Sequence, residues 1–60
     1  MKWNELRKIA LKNGFKFYKG LNGHDLYYNE EKKQMIMLER HWSQEVRKGL
    51  MEKLKKQIGF

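Results

Sequence analysis

The chain is 60 residues long, carries a formal net charge of +7 and has no cysteine. At that length a single domain over residues 1–60 is all that a hydrophobic core supports, and without thiols neither a disulfide nor a cysteine zinc site staples it. So large a positive surplus on so short a chain favours a polyanionic partner over a neutral small molecule.

In chain order, Asn4 is positioned to cap a helix, and Trp3, Leu6, Ile9 and Ala10 fall on one face at helical spacing. Asn13 and Gly14, which tolerate a left-handed backbone, end it. Phe15 and Phe17 then alternate with Lys16 and Tyr18 as in a strand. Gly20, Asn22 and Gly23 mark a turn, and His24 to Tyr28 has the aromatic composition of a second strand. The polar stretch Asn29 to Lys33 reverses the chain again, and Gln34 to Leu38 forms a third strand. Ser43 is placed to cap a closing helix in which Val46, Leu50, Leu54 and Ile58 repeat every four residues until Gly59 stops it. Gly49 lies inside that helix, where it costs about 1 kcal/mol against alanine, so a close approach of helix to sheet is expected there.

The order helix, strand, strand, strand, helix with short connections predicts an α+β fold: a three-stranded antiparallel meander with both helices on one face. Helices on one face leave the other open, yet the strands are apolar on both sides. Met35 and Met37 point opposite to Ile36 and Leu38, and Tyr27 opposite to Leu26 and Tyr28. Either the exposed set is a protein-contact surface or the strand ends are more buried than the alternation implies.

Charge follows the elements. Residues 1–20 hold six Lys or Arg against Glu5, and residues 45–60 hold five against Glu45 and Glu52, whereas residues 21–44 are nearly balanced. The longest uncharged apolar run, Met35 to Leu38, falls far short of the roughly 20 residues that span a bilayer, and the amino terminus lacks a signal-peptide apolar block. A soluble, cytoplasmic protein is expected.

Chemistry narrows quickly. Asp25 and the two histidines have no close ligand spacing such as His-Glu-x-x-His, no glycine-rich loop opens a helix, and Ser43 is accounted for as a cap, so neither a metal nor a cofactor is called for. His24 and His41 remain. An unperturbed imidazole, with a pKa of about 6.5, both takes and gives protons near neutrality. In RNA cleavage the substrate's own 2′-hydroxyl is the nucleophile, so a protein need only move protons and stabilise phosphate charge. His24 enters a strand from the Asn22-Gly23 turn, where glycine permits close approach of a phosphate to the backbone. Taken alone, a histidine at a strand start is more often a plain surface residue than a catalytic one.

The order Met1-Lys2-Trp3-Asn4-Glu5-Leu6, Lys12-Asn13-Gly14-Phe15, Gly23-His24, Glu39-Arg40-His41 with Ser43, Val46 to Leu50 with Gly49, and Leu54-Lys55-Lys56-Gln57-Ile58-Gly59 resembles HicA toxins from end to end. The resemblance implies a double-stranded-RNA-binding-like fold, metal-independent cleavage of messenger RNA, and neutralisation by an acidic HicB-type antitoxin. It carries the family's catalytic histidine onto His24, with Gly23 and His41 as accessory positions. Lys16, Lys19, Arg40, Arg47 and Lys48 are then the expected RNA-binding cations, the last two at the positive end of the closing helix. The second proton carrier stays open among His41, Tyr27, a substrate-bound water and none at all. Trp42 and Leu21 depart from the family pattern, Trp42 as a stacking surface for RNA or as a plug over the sheet edge. Two other classes compete: a noncatalytic RNA-binding module of the same fold, and a partner-binding domain whose charge only solubilises it.

Overall fold

Trp3, Leu6 and Ala10 recur at three- and four-residue intervals, and all three are buried on one face of helix α1, Trp3–Lys12. The computed structural model describes residues 1–60. The helix begins at Trp3, with Lys2 and not Asn4 as its N-cap. The physical reason is tertiary. The Trp3 and Asn4 N–H groups, which a capping side chain would otherwise help to satisfy, donate to the carbonyls of Gln44 and Trp42, each at 3.0 Å. The Glu5 carboxylate completes the start by accepting from the Lys2 N–H at 2.9 Å. At the other end Asn13 folds its Nδ2 back onto the Ile9 carbonyl at 2.8 Å, and Gly14 leaves the helix at φ +90°.

Three strands follow as an antiparallel meander: β1 (Phe15–Leu21), β2 (His24–Asn29) and β3 (Gln34–Glu39), with β2 central. The first hairpin loop is only Asn22 and Gly23, with Gly23 at φ +71°; Gly20, expected in the turn, lies inside β1 opposite Asp25. The β1–β2 register slips between Phe17 and Lys19, which makes Tyr18 the extra residue of a bulge. The β2–β3 connection is anchored from inside. Asn29, the one buried polar residue, donates through Nδ2 to the Asn13 carbonyl at 2.9 Å and accepts through Oδ1 from the Lys32 N–H at 3.0 Å. One amide thereby joins the end of α1 to the turn between two strands.

The closing helix α2 runs from Lys48 to Ile58, four residues later than a Ser43 cap requires, with Arg47 as N-cap. Val46 is buried as expected, but in an extended strap and not on a helix. Residues 41–47 pair with the amino-terminal segment: Lys2 bridges Glu45, and the Val46 N–H donates to the Met1 carbonyl at 2.9 Å. That pairing uses backbone groups an earlier helix would have needed, so periodicity at Val46 gives way to it. Gly59 ends α2 at φ +94°, and Lys32 Nζ donates to the Ile58 carbonyl at 2.8 Å.

Leu54 and Ile58 of α2 meet the α1 stripe over Phe15, Tyr27, Ile36 and Leu38, so both helices share one sheet face and Val46 closes the layer. This is the α-β-β-β-α arrangement expected from the sequence. Gly49 is not a point of close approach: a side chain there would meet nothing, and nothing in the structure explains the glycine. No helix is long and apolar enough to cross a membrane.

Candidate functional site

Alternation along β2 divides its side chains cleanly. Tyr27 is buried under the helices, whereas His24, Leu26 and Tyr28 stand on the opposite face. Cross-strand partners extend that open face to Met37 opposite Leu26, Met35 opposite Tyr28, and Glu39 opposite His24. Met35 and Met37 are 39% and 48% exposed, while Ile36 and Leu38 between and beside them are buried. The sheet is therefore apolar on both faces, and the outer one is open.

His24 is fixed by the tight hairpin that precedes it. Its Nδ1 lies 2.9 Å from the Asn22 carbonyl. A carbonyl oxygen only accepts, so Nδ1 carries the proton in this contact, and in the neutral ring Nε2 is left with the lone pair. The Gly23 carbonyl accepts from the Arg40 N–H at 3.1 Å, which ties the loop to the end of β3. Gly23 at positive φ makes the two-residue loop possible, and its missing side chain leaves the approach beside His24 unobstructed.

A groove of about 340 Å³ opens beside His24, where β3 meets α2. His24, Leu26, Met37 and Glu39 line it from the sheet, and Leu50, Lys53 and Gln57 from the helix. Lys53 and Gln57 flank the buried Leu54 stripe, so one edge of α2 supplies an ammonium and an amide to the wall that faces an imidazole and a carboxylate. Neither had been singled out. Their place on one edge of the closing helix follows from three- and four-residue spacing with Leu50 and Leu54, whereas their approach to His24 depends on how that helix lies along β3. Glu39 was legible too, because a short β2–β3 turn sets residue 39 opposite residue 24.

The expected cations fall into separate places. Lys16 and Lys19 are exposed on β1, opposite Tyr28 and Leu26 respectively, on the same open face as His24. Arg40 is engaged elsewhere. Its Nε donates to Asp25 Oδ1 at 2.8 Å, and Asp25, adjacent to His24 along β2, points to the other side of the sheet. The guanidinium lies across Gly20, where a side chain would come within 2.6 Å of it, so the glycine in β1 serves this ion pair and not the turn. Arg47 and Lys48 are exposed at the start of α2, ahead of Leu50, the first helix residue to reach the groove.

Tyr27 sits in the core on the helix side, which removes it from the groups that share a face with His24. His41 is exposed just beyond β3, and its carbonyl accepts from the Gln44 N–H at 2.8 Å. Trp42 packs against the core with the Arg7 guanidinium 5.2 Å from its ring centroid, so of the two roles open to it the plug describes its position. No three His, Asp or Glu side chains converge as a metal-binding group. Compared with family models, curated proteins and solved structures, the chain matches none.

Proposed function

We propose that the chain is an endoribonuclease that cleaves messenger RNA without a metal, the toxin of a HicA-like toxin–antitoxin pair acting in the cytoplasm, with His24 as its general acid–base. The observation that carries the reading is the His24 imidazole itself: its Nδ1 is tied to the Asn22 carbonyl, and it stands at the rim of a groove whose far wall presents Lys53. In the reaction, Nε2 takes the proton from a ribose 2′-hydroxyl as the 2′-oxygen forms a bond to phosphorus and the bond to the 5′-oxygen breaks. Water protonates the leaving oxygen. The products are a 2′,3′-cyclic phosphate and a 5′-hydroxyl, and no electrons change hands.

The neighbours have definable parts. Lys53 offers a cation to phosphate oxygens, and Glu39 pairs with His24 across the strands and lines the same groove. Gly23 keeps the loop tight and open to a phosphate, and His41 remains an accessory group at the end of β3. An acidic HicB-type antitoxin would cover the Leu26, Met35 and Met37 side chains and complement the surrounding positive charge.

His24→Ala tests the reading. Loss of general acid–base catalysis lowers cleavage roughly 10²- to 10⁴-fold, while the thermal melt stays put because the side chain lies outside the core. Cleavage persists in EDTA, and a deoxyribose at the scissile position leaves the substrate intact. Full nuclease activity in the folded His24→Ala protein overturns the assignment; RNA binding without any cleavage by the unaltered protein would leave the noncatalytic module in its place.

A further inference from the structure

The bulge in β1 creates a second feature on the open face. Because Phe17 pairs with Tyr27 and Lys19 pairs with Leu26, the extra residue Tyr18 breaks the alternation. Its ring comes to 6.2 Å from that of Tyr28, tilted by 51°, and remains 60% exposed. Phe17 stays on the helix side, edge-on to Tyr27 at 5.9 Å. A shallow groove of about 440 Å³ runs past Lys16, Tyr18 and Tyr28.

We infer that this Tyr18–Tyr28 pair is a stacking platform for unpaired bases, so that the protein takes single-stranded RNA across its sheet face and not a duplex. The inference rests on the ribonuclease reading for the identity of the polymer and adds the form in which it binds.

Three features favour a single strand as the occupant. An exposed aromatic ring recognises the face of a base, and in a duplex those faces are already covered by neighbouring pairs. Lys16 and Lys19 flank the rings on β1 and supply cations for the backbone of the same strand, with no acidic side chain in β1 to offset them. Finally, Tyr28, Leu26 and His24 succeed one another on one face of β2. That column spans about 13 Å, so a strand stacked on the tyrosines continues directly to the imidazole. Glu30 and Glu31 line the opposite end of the tyrosine groove and repel phosphate there, which sets the direction of the path toward His24.

The test is equilibrium binding, by fluorescence anisotropy, of a short RNA carrying 2′-O-methyl ribose throughout, which lacks the nucleophile for cleavage. It is offered as a single strand and as a duplex of the same length. The single strand binds more tightly. Tyr18→Ala weakens its binding at least about five-fold, the lower end for losing one stacked base, whereas Tyr18→Phe retains it because stacking needs the ring and not the hydroxyl. Leu11→Ala, which removes an exposed apolar side chain from α1 and away from this groove, leaves binding unchanged. Duplex binding as tight as single-strand binding, or a folded Tyr18→Ala protein that binds like the unaltered one, overturns the inference. The two readings fail separately: with unmodified RNA, His24-dependent cleavage indifferent to Tyr18 removes only the platform, and Tyr18-dependent binding without cleavage removes only the nuclease.

Discussion

The two faces of the sheet are built from the same three strands and both carry apolar side chains, yet only one is covered by the helices. Beneath the helices, Phe15, Tyr27, Ile36 and Leu38 are buried against Leu6, Leu54 and Ile58. On the open face, Leu26, Tyr28, Met35 and Met37 lie beside Lys16, Lys19, His24 and Glu39, bordered by α2 only along the groove at Leu50, Lys53 and Gln57. Alternation assigns a residue to a face, but it does not say which face the chain covers with its own helices. That choice is made by the stripes on α1 and α2, and whatever is left over is available for recognition.

The sharpest way to break this division is to truncate neighbours on β3. Leu38 is fully buried, so Leu38→Ala removes packed methyl groups and leaves a cavity, costing about 2–5 kcal/mol. Met37, one residue earlier and 48% exposed, should cost less than about 0.5 kcal/mol on the same change. Urea unfolding of the two variants measures the difference directly. Equal losses would mean that the outer face also carries the fold, and the case for its being free to bind RNA or a partner would fall with it.

Asn29 gives a smaller effect of another kind. It lies on the helix side of β2 but is polar, and it is tolerated there because both ends of its amide are used, one by the α1 terminus and one by the following turn. Asn29→Ala strands the Asn13 carbonyl and the Lys32 N–H together, a loss of about 1–3 kcal/mol. Hydrogen exchange should show the weakening concentrated at residues 30–33 and at the end of α1, while the His24 loop at the other end of β2 keeps its protection. Uniform loss across the sheet would show that Asn29 acts through the core as a whole.

Local signals made much of this architecture legible. Alternation located β1 and aromatic composition after a turn located β2, and Gly14 and Gly59 marked helix ends where left-handed backbone is needed. Misplaced elements were those decided by distant pairing. Asn4 and Ser43 both have capping chemistry, but the segment containing Ser43 lies along the amino terminus, and each satisfies the other's backbone without either cap. Gly20 looked like turn punctuation because Arg40, whose guanidinium lies across it to reach Asp25, is twenty residues away in the chain. At the site, the Gly23-His24 step was visible in the sequence, while Lys53 and Gln57 join it only once α2 is laid along β3. Tyr18 was hidden for the same reason, since a bulge has no signature until the register of two strands is known.

The smallest expected effect belongs to the strap that holds the two misplaced caps together. Glu45 accepts from the Met1 ammonium at 2.7 Å, and that hydrogen bond and charge, with a lesser pull from Lys2, hold its carboxyl below the ordinary glutamate range. A carboxylate with a depressed folded-state pKa stabilises the fold above its unfolded pKa and loses that contribution as pH falls through the folded value. Here the pair is solvent-exposed, so screening keeps the effect slight, and the strap is held chiefly by Val46 and the backbone bonds to Met1, Trp3 and Asn4. Glu45→Gln should therefore lower the melting temperature only marginally at pH 7. The gap to the unaltered protein should close in high salt, and close again once the medium is acid enough to protonate Glu45 in the folded chain. A gap that widened on acidification would have the wrong sign for this pair, and would move the anchoring of the strap from its backbone to a charge elsewhere.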